Sequence, residues 1–134
     1  MLYYIKKYPF SLIIFLAVIY LSFFNPSSAH EPRFSGFDKV AHFCMYAGFS
    51  GALWIEHLWN HRKEGFGLKR GLIGATVLPI IWGGLMEIGQ HYLTTTRQGD
   101  ILDFLANSLG SLTATFIAWY LVRPLMKRRK QINQ

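Results

Sequence analysis

The chain has 134 residues, of which 51% are hydrophobic and 16% aromatic, and it carries a formal charge of +7. That length fits one domain, and a soluble domain so small would not hide so much apolar surface. Cys44 is the only cysteine, which excludes an intrachain disulfide and a zinc thiolate cluster.

Four segments are long enough to cross a bilayer, which takes about 20 apolar residues: 8–24, 40–59, 71–91 and 101–122. Lys6 and Lys7 precede the first, and Pro26 is expected to end it, because proline removes a donor and crowds the preceding turn. With Ser27, Ser28 and Ala29 behind it, this stretch also resembles a signal peptide. Its length and its Phe and Tyr content favour a retained helix; cleavage would leave three spans in the same orientation. Residues 25–37, with Pro, Ser and Gly, read as a loop.

The second span begins near Asp38 and carries Ala47, Gly48, Gly51 and Ala52, small residues that let another helix approach closely. Cys44 lies inside this run and is expected to pack in the interior. The basic loop at 61–69 has Gly65 and Gly67 as breakers. The third span opens on Gly71, Gly74 and Ala75, and Pro79 in its middle is expected to kink it. Gly83, Gly84 and Gly89 follow and are expected to widen the bundle near Glu87. Residues 94–99 form a tight polar loop. The fourth span opens at Asp100, carries Ser108, Gly110, Ser111 and Thr115 for close packing, and is expected to stop at Pro124.

Lysine and arginine mark cytoplasmic segments. They are in excess at Lys6 and Lys7, in the second loop (Arg62, Lys63, Lys69 and Arg70 against Glu64), and in the tail (Arg123, Lys127, Arg128, Arg129 and Lys130). The first loop sets Arg33 and Lys39 against Glu31 and Asp38, and the third sets Arg97 against Asp100. The predicted fold is therefore all-α: a polytopic four-transmembrane-helix bundle forming a single domain over 1–134, with both termini cytoplasmic. The basic ends then serve orientation and contact with anionic lipid, and nucleic acid is not an expected partner.

Polar clusters lie at the ends of three spans, all on the extracytoplasmic side in this topology. Charged groups near hydrocarbon cost roughly 2.5–3.5 kcal/mol each at a helix centre and less toward the interface. Asp38 and His42 are four apart on one helix face, with Lys39 between them; an N-cap Asp and an interfacial His would explain this set on their own. Glu87, Gln90 and His91 share a face at the end of the third span. A carboxylate there opposes its own helix dipole and needs a partner or a proton, and an ion pair with Lys39 or Arg97 would satisfy it. Asp100 and Asp103 suit the start of the fourth span, but Asn107, one turn deeper, is not explained by capping.

In order, these motifs read DKVAH, EIGQ and RQGDILDFLANSLG. The set resembles the VanZ-like family of small bacterial membrane proteins, over most of 38–110, and the first span and basic tail suit that family's four-helix layout. The resemblance implies a multi-pass protein of the bacterial cytoplasmic (inner) membrane and a role at the cell envelope of the glycopeptide-resistance type, chiefly against teicoplanin.

Two functions follow from the residues. In the first, Lys39 and Arg97 meet a phosphate or carboxylate of a lipid-linked or cell-wall-derived ligand. Asp38, His42, Glu87, Gln90, Asp100, Asp103 and Asn107 complete the site, and membrane lipid is the surrounding partner. In the second, an outer-leaflet hydrolase or transferase acts on a lipid headgroup. Glu87 or His42 is then its acid-base group, Asp103 a further catalytic candidate, and Arg97 its anion stabiliser. A metal site would draw on His42, His91, Glu87 and Asp103, but no compact His-x-x-x-His set is present, so neither metal nor cofactor is expected. A third reading has the polar set only lock the helices, at well under ~2 kcal/mol per interhelical bond. A transport path is not expected, because the inner half of the bundle lacks polar residues to match these clusters. The topology predicts that a reporter fused after Lys130 is active in the cytoplasm and one within 94–99 is active outside; a tail fusion active outside would overturn it.

Overall fold

A computed structural model describes residues 2–24, 36–63, 65–93 and 100–132. Among them the chain is helical, with no strand. α1 is Leu2–Lys7, α2 is Pro9–Phe24 and α3 is Phe37–Asn60. α4 is the continuous helix Leu68–Leu93. α5 starts as Ile101–Ile117, passes through Ala118–Val122 and continues as Arg123–Ile132. α4, with 26 residues, and the 28-residue stretch Ile101–Arg128 of α5 are each long and apolar enough to cross a membrane. α2 is apolar but shorter, and α3 carries Asp38, Lys39 and Glu56.

Both long helices contain one turn of π-helix, at Ile73–Val77 and at Ala118–Val122. Each lies just before a proline. Leu78 N–H bonds to Ile73 O, and Arg123 N–H to Ala118 O, five residues back. A proline ring clashes with the carbonyl four residues earlier, and a wider turn moves that carbonyl aside. The helix expected to stop at Pro124 therefore runs through it. Pro79 leaves the Ala75 carbonyl without its usual partner, and the Ser50 hydroxyl of α3 donates to that carbonyl instead.

α3 is the central helix. It packs chiefly on α5, with α2 against its other side, while α4 rests on α5. The α3–α5 contact is backbone to backbone. A Cβ on Gly110 would stand 2.3 Å from Phe43 O and 2.9 Å from Ala47 N. Gly51 faces Ala114 in the same seam, whereas Gly48 has open space around it; only part of the small-residue stripe is used for packing. Cys44 is exposed rather than interior. The inward face of α3 carries His42, Tyr46, Phe49, Ser50 and Trp54, and position 44 falls on the opposite side of the turn.

The side chains are sorted inside out. Ile81, Leu85, Ile88, Leu109, Leu112 and Phe116 are each more than half exposed, while His42, Ser50, Glu56, Glu87, Gln90, Asn107 and Ser111 are buried. Two apolar clusters fill the rest, Val18, Tyr46 and Phe49 in one and Trp54, Leu58, Phe66, Ala75 and Ala118 in the other. Gly110→Ala should destabilise the chain by about 1–3 kcal/mol, the usual cost of overpacking. Gly48→Ala should be neutral or slightly stabilising in its helix. Unfolding of the two variants in detergent tests this, and equal effects would refute a backbone contact at Gly110.

Candidate functional site

Three helices bring six of the sequence-predicted residues together. Asn107, one turn inside α5, is fully buried. Its Oδ1 lies 3.0 Å from His42 Nδ1, so the ring N–H donates to the amide oxygen. Its Nδ2 donates to Glu87 Oε1 at 3.2 Å. One side-chain amide thus joins a histidine on α3 to a carboxylate on α4. His42 Nδ1 is itself 3.5 Å from Glu87 Oε1, and His42 Nε2 is 3.8 Å from Asp103 Oδ2. Gly83, one turn before Glu87, makes the approach possible, since a Cβ there would stand 3.2 Å from both Asn107 Cβ and the Tyr46 ring.

Glu87 is better placed than its own helix suggests. Its Oε2 accepts from Asp100 N at 3.3 Å, so the carboxylate faces the positive N-terminal end of α5. Asp100 is the N-cap of α5: its Oδ1 accepts from Leu102 N at 2.9 Å. Lys39 Nζ lies 3.3 Å from Asp100 Oδ2 and 3.3 Å from Asp103 Oδ1. Lys39 therefore latches the start of α3 to the start of α5 and does not pair with Glu87.

The latch holds charge on both sides. The Asp100 carboxyl is lowered, first by the bond from Leu102 N–H and then by Lys39. Lys39 is raised, first by its bond to Asp100 and then by the charge of Asp103. The lowered carboxyl adds stability above the ordinary carboxylate range, lost as pH falls through its folded value. The raised lysine adds stability below the ordinary lysine range, lost as pH rises through its own.

Other predicted residues lie elsewhere. Asp38 is exposed in the first turn of α3, and the N-cap position belongs to Gly36, whose φ is +92°. Gln90 is buried and donates from Nε2 to Ser22 O at 2.9 Å, tying α4 to α2. His91 is exposed, with its ring 5.0 Å from that of Tyr92, so a metal set of His42, His91, Glu87 and Asp103 is not assembled. Arg97 lies outside the described residues.

Beyond Asn107 the bundle also buries polar side chains, which the sequence reading did not bring together. Ser111 Oγ donates to Asn107 O, and Thr115 Oγ1 to Ser111 O. The Thr115 and Thr76 hydroxyls are 2.6 Å apart, and Trp54 Nε1 donates to both. Glu56 is buried on α3, and its carboxylate accepts from Phe10 N at 2.8 Å, from Ser11 N and from the Ser11 hydroxyl. It caps the start of α2 from a neighbouring helix. The signal was a carboxylate inside an apolar run, which stands out by its cost in hydrocarbon. Comparisons with family profiles, curated proteins and solved structures return no match.

Asn107→Leu strips His42 Nδ1–H and Glu87 Oε1 of a buried partner. It should cost about 1–3 kcal/mol, whereas Ser108→Ala, which removes only a bond to Phe104 O within its own helix, should cost less than about 0.5 kcal/mol. Unfolding in detergent checks both, and equal stabilities would deny the amide its bridging role.

Proposed function

We propose that the chain is a four-helix integral membrane protein of the bacterial inner membrane, with both termini cytoplasmic. At its outer rim, the cluster around Asn107 binds a polar group of a lipid-linked or cell-wall-derived ligand. The inside-out sorting of side chains supports lipid as the surrounding solvent, because buried polar groups must then find partners within the protein. The observation that carries the binding reading is one amide bridging two buried ionisable groups, His42 and Glu87. Interhelical bonds in membranes average about 0.6 kcal/mol, a small return for keeping an imidazole and a carboxylate out of water. The Tyr46 hydroxyl, one turn below His42, is buried with no hydrogen-bond partner among the described residues. Lys39, Asp100 and Asp103 extend the cluster outward and supply charges of both signs. The VanZ-like order of the motifs agrees with an envelope role of the glycopeptide-resistance type.

The catalytic alternative draws on one detail. His42 is held through Nδ1, and its Nε2 is turned toward Asp103 at 3.8 Å, beyond hydrogen-bond length. A ligand hydroxyl entering between them would meet a base already oriented, as an outer-leaflet hydrolase or transferase requires.

A polyprenyl-pyrophosphate wall precursor added to the purified chain at about 100 times its Kd should stabilise it by about 2.7 kcal/mol. Glu87→Gln should fold comparably without ligand and lose most of that gain. Absence of stabilisation in the unaltered chain would contradict this ligand class, and turnover of the precursor would favour the catalytic alternative.

A further inference from the structure

The two π turns stand side by side and meet on one side chain. Trp54 of α3 is fully buried and packs with Ala75 of the first turn and Ala118 of the second. Its ring also meets that of Trp119, in the second turn, edge to face at 6.1 Å between centroids. Trp54 Nε1–H is shared between Thr76 Oγ1 of α4 at 3.1 Å and Thr115 Oγ1 of α5 at 3.0 Å. Thr76 lies inside the first π turn, and Thr115 lies three residues before the second.

The protons of the two hydroxyls are ordered. Thr115 Oγ1 donates to Ser111 O at 2.8 Å. A hydroxyl has one proton to give, so in the 2.6 Å contact between the hydroxyls Thr76 donates and Thr115 accepts. The first π turn is thus tied to α5 through Thr76 and to α3 through Trp54. Ser50, one turn before Trp54, adds its bond to the Ala75 carbonyl.

Neither turn can change alone. A π turn closes on the residue five back, where an α turn closes on the residue four back. Converting one to the other rotates the helix on one side of it by about 100°, one residue's share of a turn. In α4 that rotation would carry Ala75 and Thr76 off Trp54. A Cβ at Gly71 would already stand 2.5 Å from the Trp54 ring, so α4 has no room to turn against a fixed indole. In α5 the rotation would drive Ala118 and Trp119 across the same ring. Either change displaces the indole whose N–H serves the other helix.

Nearer the His42–Glu87 cluster the helices are fixed, because Gly110 lies on the α3 backbone and Asn107 joins His42 to Glu87. We propose that Trp54 and the two π turns form a single joint. At this joint residues 68–77 of α4 and 118–128 of α5 move together, while the cluster stays in place. Single π turns inside helices occur frequently at functional sites, and the proline beyond each one breaks the ladder where such movement is possible. The joint is a property of the fold and is independent of any ligand at the cluster.

Amide hydrogen exchange in the full chain in lipid bicelles, read by NMR, tests this. The reporters are Leu78 N–H, bonded to Ile73 O, and Arg123 N–H, bonded to Ala118 O. Exchange through local opening follows the free energy of that opening. Thr76→Val, a change in α4, should speed exchange at Arg123 in α5 about fivefold, the worth of one hydrogen bond. Trp54→Phe keeps an aromatic ring, removes the N–H, and should speed both reporters. Thr113→Val, which removes only a bond to Leu109 O within α5, should speed neither. The Asn107 amide should keep its rate in all three variants. A response to Thr76→Val confined to α4, or unchanged rates in both Thr76→Val and Trp54→Phe, would overturn the proposal. Equal acceleration at Leu78, Arg123 and Asn107 would overturn it as well, because the bundle would then open as a whole and not at a joint.

Discussion

Asn107 holds one end of the bundle together because two buried ionisable groups share it as a partner. An unpaired buried polar group costs about 1–3 kcal/mol. The amide satisfies both at once, the oxygen toward His42 and the nitrogen toward Glu87. It reaches them only because Gly110 lets α5 lie on the α3 backbone and Gly83 leaves room beside Tyr46. Two glycines on separate helices therefore set the geometry of the site, and Lys39 latches the helix starts above it.

The same constraint runs down the interior. The hydroxyls of Ser50, Ser111, Thr115 and Thr76 are each satisfied by a neighbouring carbonyl or hydroxyl, while the Tyr46 hydroxyl is not. Where proline breaks the ladder in α4, Ser50 fills the vacancy at Ala75. Where α2 begins, Glu56 meets its first N–H groups. The two ends then differ in kind. One gathers a histidine, carboxylates and an amide in direct contact, and at the other a cleft lies between the α1–α2 junction, α3 and α4.

Much of this was legible in the sequence where a residue stood against its surroundings. Asn107 one turn inside an apolar helix, and Glu87 near the end of another, each lacked a capping or solvation explanation, and both are buried in one cluster. Lys39 was legible as a partner, but its choice of Asp100 and Asp103 over Glu87 depends on how the start of α5 sits over α3, which spacing does not specify. Glu56 carried the same signal as Glu87, a carboxylate inside an apolar run, and the sequence reading did not single it out. Pro124 read as a stop because the rule assumes a regular α-helix; a π turn changes which carbonyl the ring meets. Cys44 read as interior because an apolar run says nothing of which face is outward, and in an inside-out bundle apolar character marks the exterior.

The most direct test is the ¹⁵N resonance of His42 in the labelled full chain, reconstituted in lipid bicelles and assigned by its loss in His42→Asn. A bridged cluster predicts a protonated Nδ1 whose signal moves in both Asn107→Leu and Glu87→Gln. An unprotonated Nδ1, or a signal indifferent to both substitutions, would contradict the bridge and the site built on it.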